Sequence, residues 1–507
     1  MPESALKIIE DLNLEADRIR AIANTKIDEK KRGKLGQFMS SFSVSSLLAS
    51  MFEGFSSEEK LLDAGAGVGS LTSAVVNEAM KTDCKRLEGT CYEISEELHP
   101  YLEENLAVCS ERTPYSNLDF RAEIIKEDFI ASSVTNLKGQ TIKRYSKAIL
   151  NPPYLKIGAK SEERALLRSV EIETGNLYSA FVALAIKQLE QGGELVAITP
   201  RSFCNGPYFN DFRKLILNEC SLNKLHVFHS RKSAFKVDKV LQENVIYHLT
   251  KGEPQREMVT IVSSSCAEDP SPVEYQLPFE EIVQPRNPHR FIHIITNEEE
   301  REIANKAGNL PCGLEDLGIQ ASTGKVVDFR TRENLSQEYV PGSVPLIFPQ
   351  HMRNGVLTWP LAEGKKPNAL LHNEKTESLM VPNGTYVLTR RLTAKEERRR
   401  IAASLYTPDT ADVPVVGFEN KTNYFHANGE PLEENLARGL WLFLNSTIVD
   451  LYFRQLNGHT QVNATDLRSL RYPTAEMLTE LARESDTLQL EQSVIDAIVN
   501  RVIFNER

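Results

Sequence analysis

Residues 151–154, Asn-Pro-Pro-Tyr, are of types suited to holding a planar amino group. Pro152 and Pro153 fix the turn and donate no backbone N–H, which leaves carbonyl groups as acceptors. The side-chain oxygen of Asn151 and the carbonyl of Pro152 would accept both hydrogens of one amino group. The nitrogen lone pair then leaves conjugation and attacks a methyl sulfonium, while Tyr154 offers a ring on which a planar substrate stacks. A proline-rich surface turn is the alternative.

A glycine-rich turn lies upstream, with Gly65, Gly67 and Gly69 at alternate positions. Such spacing lets the backbone turn tightly against a flat ligand. Asp63 is placed to face an ammonium group, and Glu93, which ends the next apolar run, to accept both hydroxyls of a ribose. The spacing GxGxG is neither the dinucleotide pattern GxGxxG nor a phosphate-binding loop. A ligand with a ribose and no phosphates fits best, and S-adenosylmethionine is the common one; a glycine turn without a ligand is the alternative.

A sheet is needed to position these residues, and the sequence predicts one between about 60 and 250. Short apolar runs alternate there with helical stretches such as 178–191 and 210–220. This alternation is typical of an α/β fold with a mostly parallel, doubly wound sheet. The turn after residue 150 would lie at its carboxyl edge, where ligands bind. The predicted strands span 60–63, 89–93, 124–128, 147–150, 194–199, 224–228 and 245–250.

The length of 507 residues predicts two or three domains. We expect an N-terminal helical segment at 1–33, with an amphipathic helix from residue 5, and the α/β domain at 34–250. Residues 251–290 hold six prolines and few helix formers, which predicts a linker. Residues 291–507, with helices near 297–306 and from 474 onward, are expected to form a separate α+β domain.

The charge balance restricts the partners. Lys and Arg number 59 against 70 acidic residues, a net charge of -11, so nucleic acid would need a local basic surface. The longest apolar stretches are far shorter than the ~20 residues of a bilayer span, and no secretory signal is visible. The seven cysteines lack CxxC spacing, and the ten histidines show no metal spacing. We expect a cytoplasmic protein with no membrane partner and no metal.

The order of these motifs resembles the gamma class of S-adenosylmethionine-dependent DNA adenine-N6 methyltransferases. The resemblance implies a Rossmann-like class I methyltransferase domain. It also implies double-stranded DNA as substrate, with the target adenine flipped out onto Asn151, Pro152 and Tyr154. Asn151 would also contact the cofactor. Phe235 falls where that class places a second aromatic against the flipped base.

Further cofactor-binding residues follow from the same resemblance. In that class a GQFFTP-like segment precedes the glycine turn, and residues 34–41, Lys-Leu-Gly-Gln-Phe-Met-Ser-Ser, stand in that position. This implies that Gln37, Phe38 and Ser40 bind the cofactor. Ser40 replaces threonine and keeps a hydroxyl for the methionine carboxylate, whereas the next serine replaces proline. Asp128 and Phe129 match the segment that binds the cofactor's adenine.

Three phrases in the second half, at 321–330, 386–391 and 458–467, resemble modification methylases of type II restriction systems of the PstI/BsuBI kind. The resemblance covers about residues 30–475. It implies a C-terminal target-recognition domain and a bacterial restriction-modification role, with a partner endonuclease that need not be in physical contact. It also implies a monomer and suggests the palindrome CTGCAG as recognition sequence. Between 390 and 400, six basic residues against two acids form a local patch of +4. The predicted DNA-binding residues are Arg353, Arg390, Arg391, His459, Gln461 and Asn463; a solvated charged helix is the alternative for the basic run.

Other functions stay open at this stage. Asn-Pro-Pro-Tyr would hold a side-chain amide as well as a base, so a protein-glutamine methyltransferase and an RNA base methyltransferase are alternatives. A non-catalytic DNA-binding protein with a relic methyltransferase fold is a third. The motif favours adenine N6 over cytosine N4, for which the first residue is more often serine.

Overall fold

The computed structural model describes residues 3–26, 40–228, 243–285, 287–353, 355–394, 396–457, 460–484 and 491–506. Two compact units result: Met1–Phe203 with Tyr208–Pro285, and Cys204–Pro207 with Arg286–Arg507. Four residues named above, Gln37, Phe38, Phe235 and His459, lie outside the described ranges. In those ranges, no helix has both the length and the apolar character that crossing a membrane requires.

The first unit is built on a nine-stranded sheet in the order β3-β2-β1-β4-β5-β7-β6-β8-β9. The five strands from β3 to β5 are all parallel, and antiparallel pairs appear at β5–β7, β6–β7 and β8–β9. The predicted doubly wound, mostly parallel sheet is therefore confirmed. The strands are β1 (Glu58–Ala64), β2 (Arg86–Tyr92), β3 (Asp119–Ile125), β4 (Tyr145–Leu150), β5 (Leu189–Pro200), β6 (Cys220–Phe228), β7 (Asn244–Lys251), β8 (Met258–Ser264) and β9 (Val273–Pro278).

Helices alternate with these strands as the apolar periodicity predicts. The last four residues of both β1 and β4 are buried, as expected of parallel strands covered on both faces. α7 is buried around nearly its whole circumference. The helices are α1 (Glu3–Lys26), α2 (Phe42–Ala49), α3 (Ser70–Ala79), α4 (His99–Arg112), α5 (Phe129–Lys138), α6 (Glu162–Arg168), α7 (Leu177–Gln188), α8 (Asn210–Glu219) and α9 (Phe279–Ile282).

Two predicted boundaries in this unit are wrong. The predicted linker at 251–290 contains β8, β9 and α9, which belong to the first unit. The prolines of this stretch lie in the connections and at the end of β9. Because β9 is an edge strand, a missing backbone N–H there removes no hydrogen bond to a neighbouring strand. The predicted strand at 124–128 overlaps only the end of β3. It is cut short because Asp128 instead caps α5, accepting the N–H of Ala131 at 2.8 Å.

The second unit is the predicted α+β domain. A four-stranded sheet has the order β10-β20-β17-β18, a five-stranded sheet the order β11-β15-β12-β19-β16, and β13 pairs with β14. The strands are β10 (Gln320–Thr323), β11 (Leu335–Ser336), β12 (Ser343–Ile347), β13 (Met352–Arg353), β14 (Val356–Leu357), β15 (Ala369–Leu371), β16 (Met380–Pro382), β17 (Tyr386–Arg390), β18 (Ala403–Tyr406), β19 (Val415–Phe418) and β20 (Thr422–His426). The helices are α10 (Glu298–Gly308), α11 (Glu434–Leu444), α12 (Thr447–Leu456), α13 (Ala464–Arg468), α14 (Ala475–Arg483) and α15 (Gln492–Phe504).

Candidate active site

A cleft of about 780 Å³, including its open mouth, lies at the carboxyl ends of β1, β2 and β4. Its position follows from the fold, because the strand order reverses between β1 and β4 and leaves a crevice there. Seven of the predicted cofactor-binding residues line it: Ser40, Gly65, Gly67, Glu93, Asp128, Phe129 and Asn151.

The glycine turn forms the floor of this cleft. Gly67 and Gly69 have φ values of 60° and 82°, in the left-handed region that glycine adopts without strain. A Cβ on Gly69 would lie 2.9 Å from Leu102 Cδ1, so this glycine is needed for packing against α4. A Cβ on Gly67 would meet no atom within 4 Å. The space above Gly67 is therefore open to a ligand.

The Glu93 side chain is held by backbone N–H groups. Its Oε2 accepts from Gly67 at 2.9 Å and its Oε1 from Ser95 at 2.7 Å. Only 3% of the residue is exposed, and this burial raises the pKa of the Glu93 carboxyl. Each carboxylate oxygen keeps a second lone pair, so the group can still accept two hydroxyls, as the sequence predicts for a ribose.

Asp63 lies behind the cleft and does not line it. It is fully buried, and its Oδ2 accepts the Thr72 hydroxyl at 2.7 Å, which ties the end of β1 to α3. No described donor reaches its Oδ1, and burial raises the pKa of Asp63 to about 7. The contact of Asp63 with an ammonium group stays a prediction, which Oδ1 would make because no described donor occupies it.

Aromatic rings form one wall of the cleft. Phe129 contacts Tyr92, with ring centroids 5.0 Å apart, and Phe181, at 4.8 Å. Asp128, the exposed residue before Phe129, uses its Oδ1 to cap α5, which leaves Oδ2 for a ligand amine.

Sequence reasoning missed part of this wall. Tyr92 and Phe181 line the cleft, and Ile94, next to Glu93, is 58% exposed there. Ile94 could have been found from the sequence, because it is an apolar residue directly after the predicted ribose-binding acid. Phe181 could not, because it belongs to a uniformly apolar helix in which no position is distinguished.

The Asn-Pro-Pro-Tyr turn follows β4, as predicted. Asn151 Nδ2 donates to Ser40 Oγ at 3.0 Å, and the Tyr154 hydroxyl donates to Asn151 Oδ1 at 3.1 Å and to the Ile198 carbonyl at 3.4 Å. The Tyr154 ring meets Tyr178 edge to face at 6.2 Å, and burial raises the Tyr154 pKa. The Asn151 amide is thus held from both ends, with its oxygen on the Tyr154 side.

The predicted DNA-binding residues of the second unit differ in exposure and in hydrogen-bond partners. Arg353 is exposed on β13, and Gln461 is exposed as well. Arg390 forms an ion pair with Glu397, and an Arg391 NH group donates to the Asn420 carbonyl at 3.2 Å. DNA contacts by these four arginine and glutamine residues remain predictions, because nothing in the structure tests them.

The predicted basic patch between 390 and 400 needs one correction. In the described parts of the run, 391–394 and 396–400, no helix is formed, and Arg400 is buried with no exposed surface. Its guanidinium donates to the Asn457 carbonyl and side chain at 3.2 and 3.0 Å, so it stabilises the interior and adds nothing to a basic surface. Asn463 caps α13 in a reciprocal pair with Asp466, and its DNA contact stays a prediction. In the described ranges, no three His, Cys, Asp or Glu residues are grouped to hold a metal ion.

Comparison with known proteins identifies similar chains. Residues 80–235 match the family described as Eco57I restriction-modification methylase. The chain is 62% identical over 502 residues to the type II methyltransferase M.PstI of Providencia stuartii, covering 99% of both chains. It is 43% identical over 502 residues to M.BsuBI of Bacillus subtilis, covering 97% of this chain and 98% of the other.

A solved structure has a similar fold. The type IIL restriction-modification enzyme MmeI in complex with DNA aligns with 100% of this chain and 76% of its own, with a TM-score of 0.51 and 12% identity. At this level of identity the likeness concerns the fold alone.

Proposed function

Because the chain belongs to the type II methyltransferases of restriction-modification systems, we propose that it methylates N6 of an adenine in double-stranded DNA. DNA is the substrate of this family and S-adenosylmethionine its methyl donor. The observation that carries the choice of an amino group is the Asn151 amide. It lies on the wall of the cleft, and Ser40 and Tyr154 hold it in one orientation.

The cleft residues fit S-adenosylmethionine. Glu93 has free lone pairs for the ribose hydroxyls, and Gly67 leaves room for the ligand where a Cβ would intrude. Phe129 and Ile94 offer apolar surface to an adenine ring, with Asp128 Oδ2 as acceptor for its amine. When bound, this group supplies a methyl on a positively charged sulfur.

Asn151 and Pro152 would prepare the target nitrogen. Asn151 Oδ1 and the Pro152 carbonyl accept the two amino hydrogens, which frees the lone pair to attack carbon. Since Asn151 Nδ2 already donates to Ser40, its oxygen is kept on the acceptor side. The Tyr154 hydroxyl donates to the same Oδ1, and an amide oxygen has the capacity to accept two hydrogen bonds.

A paired adenine keeps its amino group inside the duplex, so we propose that the base is flipped out. The Tyr154 ring would then stack on it, and Phe235 is proposed as the second aromatic. Arg353, Arg390, Arg391, His459 and Gln461 are retained as proposed DNA contacts in a target-recognition unit. We further propose that a monomer methylates one strand at a time and protects host DNA from a partner endonuclease, with CTGCAG as the proposed recognition sequence.

The test uses labelled S-adenosylmethionine with plasmid DNA, RNA and protein lysate, followed by nucleoside analysis. We expect label in DNA as N6-methyladenine. The variant Asn151→Ala should bind the cofactor within about threefold of wild type and lose methyl transfer by at least about 100-fold. Label as N4-methylcytosine, label only in RNA or protein, or transfer by Asn151→Ala at the wild-type rate would each contradict the proposal.

A further inference from the structure

Three segments of the sequence, at 321–330, 386–391 and 458–467, meet around the short turn that connects β19 to β20. On one side, the Gly324 N–H donates to the Thr422 carbonyl at 2.8 Å. On the other, the Arg391 N–H donates to the Lys421 carbonyl at 2.8 Å, and the Val462 N–H donates to the Arg391 carbonyl at 2.8 Å. Segments distant in sequence therefore lie side by side, one strand spacing of about 4.8 Å apart.

The first segment ends in a firmly anchored turn that exposes an aromatic ring. Val326 is fully buried; its backbone N–H donates to the Phe418 carbonyl, and its carbonyl accepts from the Asn420 N–H. A Cβ on Gly324 would lie 2.3 Å from the Glu419 carbonyl oxygen, so the backbones there are in direct contact. At the tip of the turn, Phe329 is 70% exposed. The anchor fixes the backbone of the turn, and the exposed ring contacts the Arg330 guanidinium, 5.5 Å from the ring centroid.

A second apolar side chain, Leu392, is exposed just after the end of β17. Leu392 is 46% exposed and is paired with Gln461 in an antiparallel bridge. Cross-strand partners point to the same face, and Gln461 is exposed as well. The two side chains therefore share one solvent-facing patch.

Cations accompany these groups. Lys325 is exposed, and Lys421 and Lys366 lie 3.5 and 2.9 Å from Asp328. Glu419, in the turn between β19 and β20, lies 3.7 Å from Lys421; it is buried, and this burial raises the pKa of its carboxyl. We call Lys325, Phe329 and Lys421 together the Phe329 surface, since Lys325 belongs to the same turn as Phe329 and Lys421 lies beside Asp328. It carries two cations within a chain of net charge -11.

We propose that the Phe329 surface binds the DNA duplex, with the Phe329 ring pressed against the bases. The inference rests on the proposed function for its substrate, duplex DNA. Cations bind phosphates irrespective of sequence, whereas an apolar side chain held rigidly in solvent wedges between base steps or packs on their faces. Gln461, on the same patch as Leu392, has the groups to read an adenine edge.

The experiment measures the affinity of the full chain for a plasmid fragment that the wild type methylates, at several salt concentrations. Phe329→Ala should weaken binding about tenfold or more, and Phe329→Trp should restore most of it. The salt dependence of Phe329→Ala should equal that of the wild type, because the ring carries no charge. Lys325→Ala should lower the salt slope by about one. Tyr115→Ala, at a 73% exposed aromatic of the first unit, is the matched control and should bind as wild type.

Two results would overturn the inference. The first is that Phe329→Ala binds and methylates DNA as Tyr115→Ala does. The second is that Phe329→Ala binds more weakly and also has a reduced salt slope, which would indicate a disturbed charge pattern. All variants should keep the wild-type affinity for S-adenosylmethionine. If the wild type methylates DNA at a base other than adenine, the proposed function fails and the role of Phe329 is still decided by these binding curves.

Discussion

The carboxylate of Glu93 offers the sharpest test of the cofactor site. Glu93→Gln keeps the size and shape of the side chain and replaces one acceptor oxygen with an NH₂ group. In the structure both oxygens already accept backbone N–H groups, from Gly67 and Ser95. The amide can serve only one of them, and one ribose hydroxyl loses its charged acceptor.

The expected magnitude follows from these contacts. A hydrogen bond to a charged group contributes about 1.5–3 kcal/mol, and each 1.4 kcal/mol changes Kd tenfold. Glu93→Gln should therefore weaken S-adenosylmethionine binding by a factor of roughly 10 to 150. Isothermal titration calorimetry of the purified protein measures this directly, and thermal unfolding reports whether the variant is folded.

Glu88→Gln is the matched control for Glu93→Gln. Glu88 lies on the same strand, β2, and its half-exposed carboxylate pairs with Arg86 at 2.9 Å. This variant should bind the cofactor within about twofold of wild type, because a surface pair contributes about 1 kcal/mol or less, and to stability alone. A folded Glu93→Gln protein that binds S-adenosylmethionine within threefold of wild type would refute the assignment of the ribose to Glu93.

Two further substitutions test stability. The folded state raises the pKa of Asp63 to about 7, so it retains a proton that the unfolded chain releases near pH 4, and stability falls as pH rises between these values. The wild type should therefore lose unfolding free energy between pH 5 and pH 8, and in Asp63→Asn this loss should be smaller by about 3 kcal/mol, as measured by denaturant titration. An unchanged pH profile would contradict the burial argument. Arg400→Ala should lower the unfolding free energy by about 3 kcal/mol, because Asn457 loses its buried donor, whereas the exposed Arg398→Ala should change it by less than about 0.5 kcal/mol. Equal effects of the two arginine variants would show that Arg400 is not a structural residue.

Local patterns in the sequence are enough to predict four of the five parallel strands and the turns at their ends, whereas only the last two residues of β3 are predicted. Strands buried on both faces are continuous apolar runs, and each is followed by residues that cannot continue a strand. This is why Gly67, Glu93 and Asn151 were expected at one edge of the sheet, and the cleft contains all three.

Predictions failed where one local pattern is compatible with two structures. A proline-rich stretch occurs in linkers and equally around edge strands, so 251–290 was misassigned. A run of arginines predicts a basic surface whether or not its members are buried. Arg400 is buried because its guanidinium donates to Asn457, which is distant in sequence. Asp128 was placed in a strand because its role as a helix cap depends on the backbone that follows.

The sequence by itself determined the chemistry of the site, because residue types and their order along the chain define which groups can hold a methyl donor and an amino group. Tertiary structure alone decided their partners. Ser40 bonds to Asn151, which is 111 residues away, and Phe181 reaches the cleft from a helix with no distinguishing signal. The segments that carry Phe329 and Leu392 lie close together because backbone hydrogen bonds join both of them to the residues around the start of β20. Such pairings are set by packing between elements, which short-range periodicity does not encode.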